Sequence, residues 1–146
     1  MVRFRRSLPA PPATVFAAWT DPTWVARWMC PVSPDAGEPS PVEAWLDLRV
    51  GGRFRIAMEI EGTTFVHEGE YLEITPPTRL VFTWRVPLES GPRLTRVTVD
   101  LQPADGGTTE MELLHERLPD ADLRDAHAAG WHAIGQRLIA HLHRHT

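Results

Sequence analysis

Residues 79–86 read Arg-Leu-Val-Phe-Thr-Trp-Arg-Val, with Leu80, Phe82 and Trp84 at every second position. A period of two places these side chains on one face of a β-strand. The same alternation recurs on either side, in Phe54, Ile56, Met58 and Ile60, in Val97, Val99 and Leu101, and in Met111, Leu113 and His115. It predicts strands over about 42–48, 52–60, 64–74, 79–86, 94–101 and 108–116. Glu61-Gly62, Pro76-Pro77, Ser90-Gly91-Pro92 and Asp105-Gly106-Gly107 separate the runs with the residue types that tight turns require. The middle of the chain therefore reads as an antiparallel meander.

Towards the N-terminus, residues 2–8 read as one more strand, and Pro9, Pro11 and Pro12 stop it while favouring a helix start. Val15, Phe16 and Trp19 then follow a helical spacing that ends near Thr20, ahead of Pro22. Asp21 is placed to cap a second short helix with Pro22 at its first position and Trp24, Val25 and Trp28 on its apolar side. The segment 31–41, PVSPDAGEPSP, has prolines and no periodicity, and reads as an irregular surface loop bordering the sheet. After Pro119 the period becomes helical: Leu123, His127, Gly130, Trp131, Ile134, Leu138 and Leu142 form one stripe ending at about His143. Asp120 and Asp122 near its start and His141, His143 and Arg144 near its end follow the helix dipole. A helix with one apolar face must lie across the sheet. The fold class is thus α+β: a curved seven-stranded antiparallel sheet, two short helices after the first strand and a long C-terminal helix, in a single domain spanning 1–146. A curved sheet wrapped around a helix leaves a space between them, and ligand sites favour such spaces.

Composition narrows the chemistry. The chain has 146 residues, 42% of them hydrophobic, enough for a contiguous core without staples. Its single cysteine, Cys30, can neither close an internal bridge nor build a cysteine-rich zinc site. The net charge of −4 argues against nucleic acid as a partner. All 15 cationic side chains are arginine, as the codon usage of a GC-rich bacterial genome would favour. Lysine Schiff-base chemistry and a phosphate-loop NTPase are excluded with it. No run approaches the roughly 20 apolar residues of a membrane span, and the first ten residues lack a secretion signal's apolar core, so a cytoplasmic protein is expected.

An ordered set of short pieces runs through nearly the whole chain: Asp21-Pro22 and Trp28; Gly51-Gly52; His67-Glu68-Gly69-Glu70-Tyr71-Leu72-Glu73; and residues 76–84, PPTRLVFTW. Val97-Thr98-Val99, Leu113-Leu114-His115, and His127 with Gly130-Trp131 complete it. With these pieces the sequence resembles the helix-grip superfamily of START lipid-transfer domains and plant pathogenesis-related allergens. Within that superfamily it is similar to bacterial proteins like the C-terminal domain of the Hsp90 ATPase activator. The resemblance implies a helix-grip fold, and it leaves open lipid carriers, cyclases and co-chaperones, because one fold hosts many functions. The Pro-rich segment 31–41 departs from the pattern.

His67, His115 and His127 fall on two strands and the helix that should face one another, but their spacing matches no zinc motif, and no metal or cofactor is expected. His67, Gly69 and Tyr71 share one strand face, which would leave room for a ligand above Gly69. Trp84 and Trp131 fall on inward faces, where indoles can wall an apolar cavity. Trp19, Trp24, Trp28 and Trp45 read as packing between the short helices and the sheet, and His141, His143 and His145 as solvated. The expected ligand-binding set is His67, Tyr71, Trp84, His115, His127, Gly130 and Trp131, serving a small hydrophobic or aromatic molecule in a cavity between sheet and helix. No catalytic residue is assigned. Two alternatives stay open: an Hsp90-type co-chaperone domain with an exposed arginine patch and no cavity, or a cyclase or hydrolase with His67, His115 or Glu68 as base and Tyr71 as donor. Gly130 interrupts a helix where glycine costs about 1 kcal/mol relative to alanine. If the missing side chain makes room for a ligand, Gly130→Leu keeps or raises Tm while ligand binding falls, to be read by calorimetry and titration; unfolding would show that Gly130 serves packing instead.

Overall fold

Leu80, Phe82 and Trp84 are buried, and the strand they lie on is the middle one of seven. In chain order the elements are β1 (Val2–Leu8), α1 (Pro12–Thr20), α2 (Pro22–Trp28), β2 (Ser40–Leu46), β3 (Arg53–Ile60), β4 (Thr63–Thr75), β5 (Arg79–Val86), β6 (Arg93–Ala104), β7 (Thr108–Glu116) and α3 (Ala121–Arg144). The structure, a computed structural model, describes residues 1–29, 40–60, 63–86, 88 and 91–144. Cys30, the turn at Glu61-Gly62, Ser90 and most of the segment 31–41 lie outside the described residues, while Ser40 and Pro41 open β2. The sheet order is β1-β7-β6-β5-β4-β3-β2 with every pair antiparallel, so six strands form the meander and β1 joins its β7 edge. Among the described residues no helix is long and apolar enough to cross a membrane.

The short helices are set by one aspartate. Asp21 ends α1, its N–H donating to the Ala17 carbonyl at 2.8 Å, and its carboxylate then accepts from the Thr23 and Trp24 N–H groups at 2.9 and 3.2 Å to start α2. The fully buried Trp28 then locks the pair together by donating from Nε1 to the Ala18 carbonyl at 2.8 Å. Across the sheet, Thr109 donates to the Ala10 carbonyl at 2.7 Å and ties β7 to the turn after β1. Asp120 caps α3, its carboxylate accepting from Leu123 N–H at 2.9 Å. Val15, Val97, Leu113, Leu138 and Leu142 fill the core between helices and sheet.

Several expectations need correction. β2 ends at Leu46 rather than 48 because residues 47–52 close a turn, with Asp47 N–H on the Arg53 carbonyl at 2.9 Å and Gly52 N–H on that of Arg49 at 2.8 Å. β6 runs on to Ala104, past Pro103. Pro103 is tolerated there because β5 pairing stops at Asp100, so the missing N–H opens no gap on that side. Trp45 is not packing: it alternates with the half-buried Ala44 and Leu46, points to the outer face and is 60% exposed. His141 is not solvated but buried, its ring 4.9 Å from that of Trp24, because it shares the helical face of Leu138 and Leu142. His143 is exposed as expected, and His145 lies outside the described residues.

Gly69 is the sharpest correction. β4 pairs with β3 through Glu70 and with β5 from Tyr71, and Gly69 stands beside that change of partner. There is no room above it. A β-carbon there would collide with the Thr83 carbonyl oxygen and stand 2.5 Å from the Phe54 ring. Gly135 makes a softer approach, where α3 crosses β1 and an added carbon would sit 2.6 Å from Cζ of Phe4. Gly69→Ala should therefore lower stability by about 2–3 kcal/mol or prevent folding, since backbone cannot yield as a ring edge can. Gly135→Ala should cost less. Urea unfolding of both variants checks the order, and a Gly69→Ala protein as stable as the wild type would contradict the close approach.

Candidate functional site

Alternation along β7 turns His115 inward, where it is 0% exposed and flanked in register by Val97 of β6 and Val2 of β1. The Trp131 indole N–H of α3 donates to its Nδ1 at 3.0 Å. An indole nitrogen only donates, so Nδ1 carries no proton and Nε2 does. Nε2 then donates to Thr95 Oγ1 at 2.7 Å, and the Thr95 hydroxyl in turn donates to the Trp84 carbonyl at 2.7 Å. One directed chain of hydrogen bonds therefore joins α3, β7, β6 and β5, and both nitrogens of His115 are used. Burial, followed by the charges of His127 and the N-terminal ammonium, pushes His115 down to about 3. It is a neutral structural imidazole, neither a free base nor an available ligand.

His67 comes from β4, opposite Ile56 of β3. Its ring stacks on Trp84 at 4.7 Å with 17° between planes, and its Nε2 is buried with no hydrogen-bond partner. Burial, then His127, pushes His67 down to about 4. His127, half-buried on α3, donates from Nδ1 to the Leu123 carbonyl at 2.9 Å and stands edge-on to His115 at 5.0 Å. The rings of Trp84 and Trp131 lie 5.5 Å apart. Five of the expected residues, His67, Trp84, His115, His127 and Trp131, thus form one cluster between sheet and helix. Gly130, half-buried, follows one residue before Trp131 on α3.

Tyr71 belongs to the other side of Trp84. It is buried, its ring lies 5.5 Å from Phe54, and burial raises its hydroxyl above the usual range. With Trp19, Met29, Phe54, Phe82 and Trp84 it lines an internal space of about 20 Å³. That is room for about one water molecule. Trp19, 4% exposed, packs at 4.7 Å from Trp28 and 6.4 Å from Trp131, and its Nε1 is a second buried nitrogen without a partner. Two residues of this cluster escape a reading by residue type. Thr95 continues the inward series of Val97, Val99 and Leu101, where a hydroxyl on an apolar face was the available signal. Trp19 has the spacing of a core residue, and nothing in sequence tells a satisfied indole from an orphaned one.

Among the described residues, none of His67, His115 and His127 is hydrogen-bonded to a carboxylate, and no three His, Cys, Asp or Glu side chains converge as metal ligands. Carboxylates gather instead on the outer face, where Arg5 pairs with Glu112 at 2.6 Å, Arg55 and Arg85 with Glu68 at 3.7 and 3.4 Å, and Arg96 with Glu116 at 3.2 Å. Exposed arginines are present there, and two carboxylates each serve two of them: Glu112 pairs with Arg3 and Arg5, and Glu68 with Arg55 and Arg85.

Residues 9–143 match the family described as activator of Hsp90 ATPase homolog 1-like protein. No curated protein matches the chain. Among solved structures, a protein from Nitrosomonas europaea is 25% identical with a TM-score of 0.76, over 99% of this chain and 95% of that one. The family protein of Silicibacter pomeroyi is 21% identical with a TM-score of 0.77, over 99% of each chain. An Hsp90 activator from Plasmodium falciparum is 23% identical with a TM-score of 0.69, over 89% of this chain and 86% of that one.

The buried imidazoles set a pH dependence. A histidine held neutral when folded but free to charge when unfolded contributes stability that is complete above the unfolded value of about 6.5 and is lost as pH falls towards the folded value. Between about pH 6 and pH 4.5, His67 and His115 should each remove about 1.4 kcal/mol of stability per pH unit. Urea unfolding across that window should show the decline, and His67→Phe should flatten it by one histidine's share. An unchanged slope in the variant would mean that His67 charges freely in the native state.

Proposed function

The chain belongs to the activator of Hsp90 ATPase homolog 1-like family, and from that premise we propose that it is a small-molecule binding protein, a single cytoplasmic domain that takes an apolar or aromatic molecule between its sheet and α3. The observation that carries this reading is the pair of buried ring nitrogens, Trp19 Nε1 and His67 Nε2, left without partners along one run of aromatic rings. A buried polar atom without a hydrogen bond costs about 1–3 kcal/mol, and a ligand that supplies the bond recovers it. Trp84 and Trp131 offer that ligand flat apolar walls. The internal space of about 20 Å³ is far below the several hundred that a drug-sized molecule fills, so binding must move side chains apart. Half-buried His67 and His127 mark where the interface reaches solvent.

A second reading follows from the outer face. Trp45, 60% exposed, and Leu94, 59% exposed, flank the row Arg55, Glu68 and Arg85, which suits a protein partner. The structural likeness to an Hsp90 activator makes a chaperone the first partner to test.

Apolar or aromatic ligands should quench or shift tryptophan emission, and Trp131→Phe should weaken the change because that ring faces the site. A panel of lipids, flavonoids and polyketide-like aromatics checks this. Unchanged emission across the panel, together with Hsp90 binding abolished by Trp45→Ala, would replace the carrier reading with the chaperone one.

A further inference from the structure

Trp19 lies against two other buried indoles and differs from both in what its nitrogen does. We infer that the bound molecule is neutral and carries a carbonyl oxygen, which accepts the Trp19 indole N–H while its apolar body lies among Phe54, Phe82 and Trp84. This step rests on the ligand-binding reading above and gives that ligand its polar end.

The rings of Trp28 and Trp131 lie 4.7 and 6.4 Å from that of Trp19. Both of those indoles are satisfied, Trp28 Nε1 donating to the Ala18 carbonyl at 2.8 Å and Trp131 Nε1 to His115 Nδ1 at 3.0 Å. Trp19 is buried as they are, and its Nε1 has no partner. Its place explains the difference: of the three, Trp19 alone lines the internal space. Around that space the rings close into a shell, with centroids 6.1 Å apart from Trp19 to Phe82, 5.4 Å from Phe82 to Phe54 and 6.2 Å from Phe54 to Trp84. The indole with the open donor is thus part of the wall of an aromatic cavity.

An indole N–H donates and cannot accept, so whatever completes it must present an acceptor. A hydroxyl would bring a further proton to be satisfied, and a carboxylate would give up its water for one bond among apolar side chains. A carbonyl asks only for a donor. Room for the body comes from the mouth of the same space, lined by Val25 and Met29 of α2, Leu46 of the edge strand β2 and Ile56 of β3. Met29 is unbranched and stands just past the end of α2, so its side chain can swing aside and enlarge the space of about 20 Å³ at little cost.

Acetophenone and ethylbenzene have nearly the same shape and differ in the oxygen. In proton–nitrogen correlation spectra of the full chain, acetophenone should move the Trp19 indole N–H downfield, and ethylbenzene should not. Trp19→Phe keeps a ring and removes the nitrogen; titrations followed by its remaining tryptophan peaks should show acetophenone weakened about tenfold and ethylbenzene unchanged within about twofold. If that variant does not fold, the shift in the wild-type chain decides. Benzoate should bind more weakly than acetophenone, and the reverse order would overturn the neutral carbonyl. A Trp19 N–H that stays in place while acetophenone binds, or an equal loss of both compounds in the variant, would overturn the inference while the carrier reading stands. Binding of neither compound would overturn both.

Discussion

The hydrogen bond from the Trp131 indole to His115 decides how the long helix sits on the sheet. Because the indole can only donate, it fixes the proton of His115 on the far nitrogen, and that in turn makes Thr95 an acceptor whose own hydroxyl must reach the Trp84 carbonyl. Each link has one direction, and a chain of bonds in a dry interior is stronger than its members taken singly. With Trp131 pinned, Gly135 one turn later meets Phe4 of β1, Leu138 and Leu142 reach the core, and His127 one turn earlier comes up against His115. A charged His115 would break the first link, so the fold holds it neutral.

Much of the architecture was legible in alternation and period. Strands β1, β5 and β7 have the limits that their apolar periodicity predicts, and Asp21-Pro22 marks the junction of the short helices where it was expected. What escaped depends on facts that no local pattern carries. Trp45 has the composition of a core residue, yet strand parity turns it outward. His141 looked like part of a histidine-rich tail, while the spacing of Leu138 and Leu142 places it in the core. Gly69 reads equally well as vacant space or as close approach, and only the distance to Thr83 of the next strand decides. The gathering of His67, Trp84, His115, His127 and Trp131 followed from facing predicted elements across one core. Which histidine is already spoken for did not, because that turns on Thr95, a residue with no chemical signature of its own.

The two faces of the sheet divide the charge between them. Outside, arginines and carboxylates form exposed ion pairs, two arginines sharing one carboxylate at Glu68 and at Glu112, and such pairs contribute modest energy at most. Inside, one chain of polar atoms is fully satisfied, while Trp19 Nε1 and His67 Nε2 have no hydrogen-bond partner. A fold that meets nearly every hydrogen-bonding demand makes its exceptions informative. Those exceptions lie beside Trp84, the ring shared by the internal space and the histidine cluster.

The β6–β7 hairpin extends beyond the reach of β5, with Leu101 N–H taken by Thr78 and Pro103 next in line on that side. A projecting ribbon with a free border is the part of a molecule that neighbouring copies tend to zip onto when concentrated. Proline deletes the donor at the first vacant rung, so a foreign strand laid along this border would find carbonyls without an amide between them. The ring that looks like a fault in the strand thus guards the protein against fibrous self-association, and it does so without occupying any of the interior.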